Sequence, residues 1–202
     1  MRPLFEIVPA ESSGPLVALR VQGPLSLAEE ARPRCATCGN VMTFRFALVH
    51  QASALDLAPF AAVRVFWCDN LAFQCRPDVA DSGANRVLGA ASFEEDAGAR
   101  KLGALRPAQE DVAALTIDVD EASSEQLATH DAAREAAPKS KVGGVPVWLQ
   151  GWQETSNDGA PMELVAQLDG AAWGLSIGDG GAVYVFRSTV DPARYTVLTQ
   201  SY

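Results

Sequence analysis

All four cysteines of this 202-residue chain lie in one stretch, between Cys35 and Cys75. They are spaced C-x2-C and, after 29 further residues, C-x6-C. A tight turn at the first pair can direct both sulfurs to one point, and Gly39 can adopt the positive φ that such a turn often needs. Four thiolates complete the tetrahedral coordination of Zn²⁺ and leave no position for water or substrate. The spacing therefore predicts a structural zinc site formed by Cys35, Cys38, Cys68 and Cys75.

Two other interpretations of the cysteines remain open at this point. Buried thiols can serve as small apolar side chains, and this interpretation requires no metal. A redox C-x-x-C motif is the second alternative, and it predicts a thiol-dependent enzyme that uses Cys35 and Cys38. In thioredoxin-like proteins that motif begins a helix, whereas residues 41–49 here have the pattern of a strand.

The charge and apolar content of the chain exclude several classes of protein. Apolar residues make up 48% of the chain, and no apolar run reaches the roughly 18 residues of a membrane span. Sixteen basic and 25 acidic residues give a formal charge of −9, which is opposite in sign to a general nucleic-acid binder. We therefore expect neither a membrane nor a nucleic-acid partner, and the charge favours a basic protein partner.

The start of the sequence has no secretory pattern. Its first 15 residues hold one arginine, no apolar run of about seven residues and no small-residue cleavage pattern. We therefore expect a cytoplasmic protein, in which the thiols stay reduced and structural disulfides do not form.

A strand pattern recurs in the chain with an offset of 120 residues. Apolar residues alternate over 42–48 and again over 162–168, which is typical of a half-buried strand. The next strand follows the same offset, because Val-Arg-Val-Phe at 63–66 corresponds to Val-Tyr-Val-Phe at 183–186. This spacing predicts a duplicated antiparallel β unit, with two unrelated strand pairs as the alternative. A Gly/Pro turn element precedes each copy, at 22–24 and at 143–146.

The segment between the two copies, residues 76–140, holds most of the charge. It contains 13 acidic and seven basic residues, which give −6 of the total −9. Pro107 suits a helix start, and Ser123 or Ser124 can cap a helix that runs to Ala137. Residues 115–120 have the pattern of a strand, and their two aspartates lack the other ligands of a calcium loop.

The predicted fold is therefore α+β, mainly antiparallel, with two pseudo-symmetric repeated halves and a helical or irregular acidic linker. We divide the chain into a first β repeat with the zinc site at 1–75, the linker at 76–140 and a second β repeat at 141–202. Both repeats are expected to share one compact domain.

Few residues suit catalysis. The chain has only two histidines, His50 and His130, so few Ser-His-Asp or Cys-His catalytic arrangements are possible. We therefore predict no catalytic residue. Trp148 and Trp152 lie four residues apart, and such rings form either a partner-binding surface or part of a core.

Three blocks of the second half, 141–150, 162–168 and 178–186, resemble the YwqG-like family of uncharacterised bacterial proteins. The first half, from its C-x2-C motif through Val-Arg-Val-Phe-Trp-Cys at 63–68 to Cys75, is similar to the zinc-bearing half of the programmed cell death protein 2 family. The resemblance covers about 20–75 and 140–200. It implies pseudo-twofold halves, a structural zinc, no established enzymatic activity and, from the eukaryotic relatives, a chaperone-like binding role toward a ribosomal protein.

Three functional hypotheses follow. The first is a non-enzymatic, zinc-stabilised protein-binding module that acts as a chaperone or adaptor. The second is an immunity protein that neutralises a co-encoded, basic toxin, since opposite charge accelerates association. The third is a thiol-dependent enzyme that uses Cys35 and Cys38.

Overall fold

The computed structural model describes residues 4–10, 17–23, 27–70, 75–93, 99–150, 153, 156–157, 159–178 and 180–201. Up to residue 107 the chain contains a 3-10 helix at Glu29–Ala31 and the strands β1 (Phe5–Ala10), β2 (Val17–Val21), β3 (Thr43–Val49), β4 (Ala62–Trp67), β5 (Asn85–Ala90) and β6 (Lys101–Pro107). The second half contains β7 (Lys141–Val142), β8 (Ser156–Asn157), β9 (Ala160–Asp169), β10 (Gly181–Ser188) and β11 (Tyr195–Ser201). The helices are α1 (Val112–Leu115), α2 (Ser124–Ala136) and α3 (Gly170–Trp173). The chain is thus mostly antiparallel β with few helices, as the coarse α+β assignment predicts.

The strands form one antiparallel sheet that curls toward a barrel. Their order is β11-β10-β9-β7-β1-β6-β2-β3-β4-β5, and β8 pairs with β9 outside this path. The two edges meet beside the loop before β5, where the Thr199 amide donates to the Asp78 carbonyl at 3.4 Å. The Thr196 hydroxyl donates to the Asp81 carboxylate at 3.3 Å in the same region. Strands from both halves therefore enclose a shared interior.

The main apolar core fills this interior. Because successive strand residues point to opposite faces, Val65 and Val185 lie in the core while Phe66 and Phe186 face outward. The outward residues belong to two smaller apolar clusters, one around the cysteines and one beside Trp148. The largest fully buried side chains of the main core are Phe46, Leu19, Leu48, Leu57 and Leu168.

The four predicted strands at 42–48, 63–66, 162–168 and 183–186 are confirmed, within two residues at each end, by β3, β4, β9 and β10. The alternating apolar residues do not share one face, however. A bulge in β3 places Met42 and Phe44 in the outer cluster around the cysteines and Phe46 and Leu48 in the main core, and β9 changes face in the same way.

The predicted helix in the acidic segment is also confirmed. It extends over α2, where the Ser123 side chain accepts from the Gln126 amide and the Gln126 side chain accepts from the Ser123 amide. This reciprocal capping box fixes where the helix begins.

Other predictions for residues 76–140 are wrong. The segment contributes β5 and β6 to the sheet, and Pro107 ends β6 instead of beginning a helix. β6 lies between β1 and β2 and pairs with β1 over 102–107 and with β2 over 101–104, although its apolar pattern is weak. A larger residue at Gly103 would collide with Ile7, Leu19 and Trp173, so this position of β6 needs glycine.

The strand predicted at 115–120 is wrong as well. Leu115 ends α1, and beyond it the Asp120 amide donates to the Asp118 side chain at 3.0 Å in a turn. A local side-chain bond of this kind replaces the pairing that a strand would need. Within the described ranges, no helix is long and apolar enough to cross a membrane.

Candidate metal centre

The first cysteine pair lies on a closed turn between the 3-10 helix and β3. The Cys35 amide donates to the Asn40 carbonyl at 2.9 Å, and the Gly39 amide donates back to the Cys35 carbonyl at 2.9 Å. Gly39 has a φ of +74°, which confirms the positive φ predicted for it. These bonds hold the turn so that the Cys35 and Cys38 side chains point to the same side.

The second pair is positioned by the end of β4 and the loop before β5. Cys68 follows β4 directly, and its amide donates to the Ala84 carbonyl at 2.8 Å. The Ala36 amide donates to the Gly83 carbonyl at 2.9 Å, which joins the first turn to this loop. Two backbone bonds thus bring together sulfur atoms that are about 30 to 40 residues apart in sequence.

The four sulfur atoms converge on one point. Their Sγ atoms all lie within 4.8 Å of one another, and no disulfide joins them. Cys35 and Cys75 are 3.6 Å apart at Sγ, as are Cys38 and Cys68. The sequence-based set of four ligands is therefore one cluster that could hold a metal ion.

The cluster is largely enclosed by apolar residues. Cys35, Cys68 and Cys75 are at most 4% exposed, and Cys38 is partly exposed. Met42, Phe66 and Ala84 pack around the sulfurs on the outer face of the sheet. Four negative thiolates in such surroundings need a compensating cation.

The pKa values of the thiols differ across the cluster. Burial raises the pKa of Cys35, but hydrogen bonds from the backbone amides of Cys38 and Thr37 outweigh it and lower that pKa to about 7. Burial raises the pKa of Cys68 and of Cys75, and neighbouring thiols raise the pKa of Cys75 further. Amide donors therefore favour the thiolate form of Cys35, whereas Cys68 and Cys75 need a nearby cation to ionise.

Gly83 and Gly39 offer a matched test of how tightly the two turns pack. Both have a positive φ, +76° and +74°, so alanine carries a similar backbone cost of about 1–2 kcal/mol at each. A Cβ on Gly83 would lie 2.6 Å from the Ala36 Cβ, whereas one on Gly39 meets nothing within 4 Å. We expect Gly83→Ala to destabilise the chain by about 1–3 kcal/mol more than Gly39→Ala, the usual cost of overpacking, in urea unfolding. Equal losses would show that the Ala36 contact is soft.

Both histidines lie outside this cluster and have structural contacts. His50 Nδ1 accepts from the Leu57 amide at 3.0 Å and so holds the loop after β3. His130 on α2 is partly buried, and its Nδ1 lies 2.7 Å from the Ala114 carbonyl of α1.

The structure describes one of the two tryptophans that the sequence offered as a partner-binding surface. Trp148 is partly buried, with its ring 4.8 Å from that of Tyr184 and 5.9 Å from that of Phe186. It borders an open cavity of about 1300 Å³. Trp152 lies outside the described residues.

No pattern in the sequence identified the other residues of this cavity as site residues. Asp118, Val119 and Asp120 matched a strand pattern, and Met162 and Phe186 were identified as strand residues. The tertiary structure brings them to the same opening, because α1 and α2 pack against each other and contact residues 145–148 next to the outer face of β9 and β10.

No family model matches the chain, and no curated protein matches its sequence. The resemblance to the YwqG-like and programmed cell death protein 2 families therefore stays a prediction based on the blocks quoted above.

Proposed function

We propose that this chain is a non-enzymatic, zinc-stabilised protein-binding module with a chaperone-like or adaptor-like role in the cytoplasm. The observation that carries the binding role is the cavity of about 1300 Å³ beside Trp148. Large, partly exposed aromatic rings at an opening are typical of recognition sites. The structural contacts of both histidines and the clustering of all four cysteines support the absence of enzymatic activity.

The proposal assigns zinc to the four-cysteine cluster. A Zn–S distance of about 2.3 Å in a tetrahedron places neighbouring sulfurs about 3.8 Å apart. Two Sγ pairs at 3.6 Å, with all four atoms inside 4.8 Å, fit this geometry without a large movement. A set of four thiolates selects a soft or borderline metal, and a closed set gives it a structural role.

We also propose that the two halves are copies of one unit, as the sequence pattern predicts. The β3–β4 and β9–β10 hairpins have the same register, because Leu48 pairs with Val63 and Leu168 pairs with Val183. Both registers shift at the corresponding point, just before Phe66 and Phe186. A shared bulge supports common descent of the two hairpins, since bulges persist within families.

An immunity protein is the second candidate function, and the net charge of −9 favours it. An acidic surface accelerates association with a basic toxin and disfavours acidic partners. Both candidates bind protein, so the identity and number of partners distinguish them.

Native purification from cells that encode the chain tests the proposal. We expect the chain to elute on gel filtration in a stoichiometric complex with another protein, identified by mass spectrometry, and not at its own 21.4 kDa. A single small basic protein encoded beside it supports the immunity role, whereas a housekeeping client supports the chaperone or adaptor role. Elution as a free chain, with catalytic turnover of a small molecule, would refute both.

A further inference from the structure

We propose that the cavity beside Trp148 binds an extended peptide segment of another protein, in which an apolar side chain is flanked by lysine or arginine. The inference rests on the proposed protein-binding function and names the class of segment that the site accepts. The apolar floor of the cavity, its acidic side and its size support this inference.

The floor of the cavity is apolar. Trp148 stacks on Phe186 with ring planes 20° apart, and Met162 and Leu164 continue the surface along β9. Trp148 and Met162 are only partly buried, so apolar area stays open to the cavity. An apolar side chain that enters there removes this area from water, and this favours binding.

A second part of the lining, here called the wall, is formed by residues of α1, α2 and the turn between them. Two polar contacts hold this wall in place: His130 with the Ala114 carbonyl, and Arg134 Nη2, which donates to the Trp148 carbonyl at 2.8 Å. Val119 in the turn is 50% exposed and lines the cavity. The wall thus adds an exposed apolar side chain to the apolar lining that the floor supplies.

The charges around the cavity are mainly negative. Asp118 and Asp120 flank Val119 in the turn, and both carboxylates are exposed. Among the described residues that line the cavity, the basic side chains are those of Arg134, which donates to the Trp148 carbonyl, and His130. The cavity therefore complements a basic segment and repels phosphate groups.

The size of the cavity favours a peptide. Pockets for small molecules are usually about 300–1,000 Å³, and this cavity is about 1300 Å³ and open to solvent. A segment of several residues can reach both the Trp148 floor and the Asp118–Asp120 wall at once.

Three labelled peptides test the inference with the full-length, metal-containing chain. They are KLKFKLK, its acidic counterpart ELEFELE, and KSKSKSK, which keeps the charge without the apolar residues. We expect fluorescence anisotropy to show KLKFKLK binding at least tenfold tighter than either of the others. Its affinity should fall as salt is added, because exposed charges are screened.

A pair of charge-reversal variants locates the binding site. Asp118→Lys/Asp120→Lys should weaken KLKFKLK at least tenfold. The matched control Glu29→Lys/Glu30→Lys makes the same change in net charge on the exposed 3-10 helix, away from the cavity, and should change affinity less than twofold. Circular dichroism checks that both variants are folded.

Equal weakening by both variants, or equal binding of KSKSKSK, would overturn the inference, because either result means attraction by net charge alone. An absence of peptide binding up to about 1 mM, where the binding free energy is only about −4 kcal/mol, would overturn it as well. Native purification separates this failure from failure of the proposed function. If Asp118→Lys/Asp120→Lys still enters the stoichiometric complex, the chain binds protein but does so outside this cavity.

Discussion

Cys68→Ser should abolish metal binding and lower the unfolding temperature by about 8–20 °C. Loss of a structural metal belongs to the changes that cost more than about 4–5 kcal/mol, and each kcal/mol corresponds to about 2–4 °C for a chain of this length. The hydroxyl of serine is not among the ligands that zinc selects. Cys68 is buried and its amide anchors the end of β4 to Ala84, so loss of the metal loosens both turns that supply the sulfurs.

Metal content by plasma mass spectrometry and calorimetric unfolding check this expectation. The wild-type chain should contain about one zinc per molecule, in accordance with a closed four-thiolate site. Thr37→Ser is the matched control, because Thr37 is exposed and lies inside the same C-x2-C turn without supplying a ligand. It should keep the metal and the unfolding temperature of the wild type.

Native thiol labelling separates the three interpretations of the cysteines. Zinc predicts slow alkylation that becomes fast once a chelator removes the metal. Metal-free protein with rapid reaction at Cys35 and Cys38 would contradict the structural site and support the thiol-dependent enzyme. Metal-free protein with unreactive thiols would support cysteines that serve only as buried apolar side chains.

Glu110→Gln should destabilise the chain by about 3–5 kcal/mol, the usual cost of leaving one partner of a buried ion pair unpaired. Lys141 on β7 is fully buried, and the Glu110 side chain is only 2% exposed. The Lys141 ammonium donates to Glu110 Oε2, and the Val145 amide donates to Glu110 Oε1 at 2.7 Å. Glutamine keeps an acceptor for Val145 but removes the charge that compensates Lys141.

The pH dependence of this variant follows from the shift at Lys141. Burial lowers the pKa of Lys141, and the hydrogen bond from its ammonium to Glu110 opposes that shift. Without the carboxylate the folded chain binds the lysine proton more weakly still, while the unfolded chain keeps its usual pKa of about 10.5. Stability therefore rises with pH between these two pKa values, so the loss caused by Glu110→Gln should shrink as the pH is raised from 7 toward 10.

A double variant tests whether the lost stability comes from the unpaired charge. Glu110→Gln/Lys141→Met replaces both members of the pair, and we expect it to recover most of the loss in urea unfolding at pH 7, because no buried charge remains. If the double variant is as unstable as Glu110→Gln alone, the loss comes from packing around β7 and not from the ammonium. Comparing the two single variants with the double variant measures the coupling directly.

Local patterns in the sequence predicted the parts of the fold that depend on neighbouring residues. Met42 to Leu48 identified β3 by alternation, and a serine at 123 or 124 marked the start of α2 as its cap, which the structure assigns to Ser123. The C-x2-C turn with Gly39 belongs to the same class, since its hydrogen bonds close within five residues. These features need no information from distant parts of the chain.

The sequence alone therefore determined the two strand pairs, the capped helix and the set of four cysteines that converge on one point. Only the tertiary structure decided that β6 lies at the centre of the sheet, that Glu110 pairs with Lys141, and that Asp118 faces the cavity beside Trp148. The physical reason is the range of the interactions. All three depend on contacts between residues that are far apart in the sequence, such as the buried ion pair between residues 31 positions apart. Such contacts leave no periodic pattern in the residues that make them.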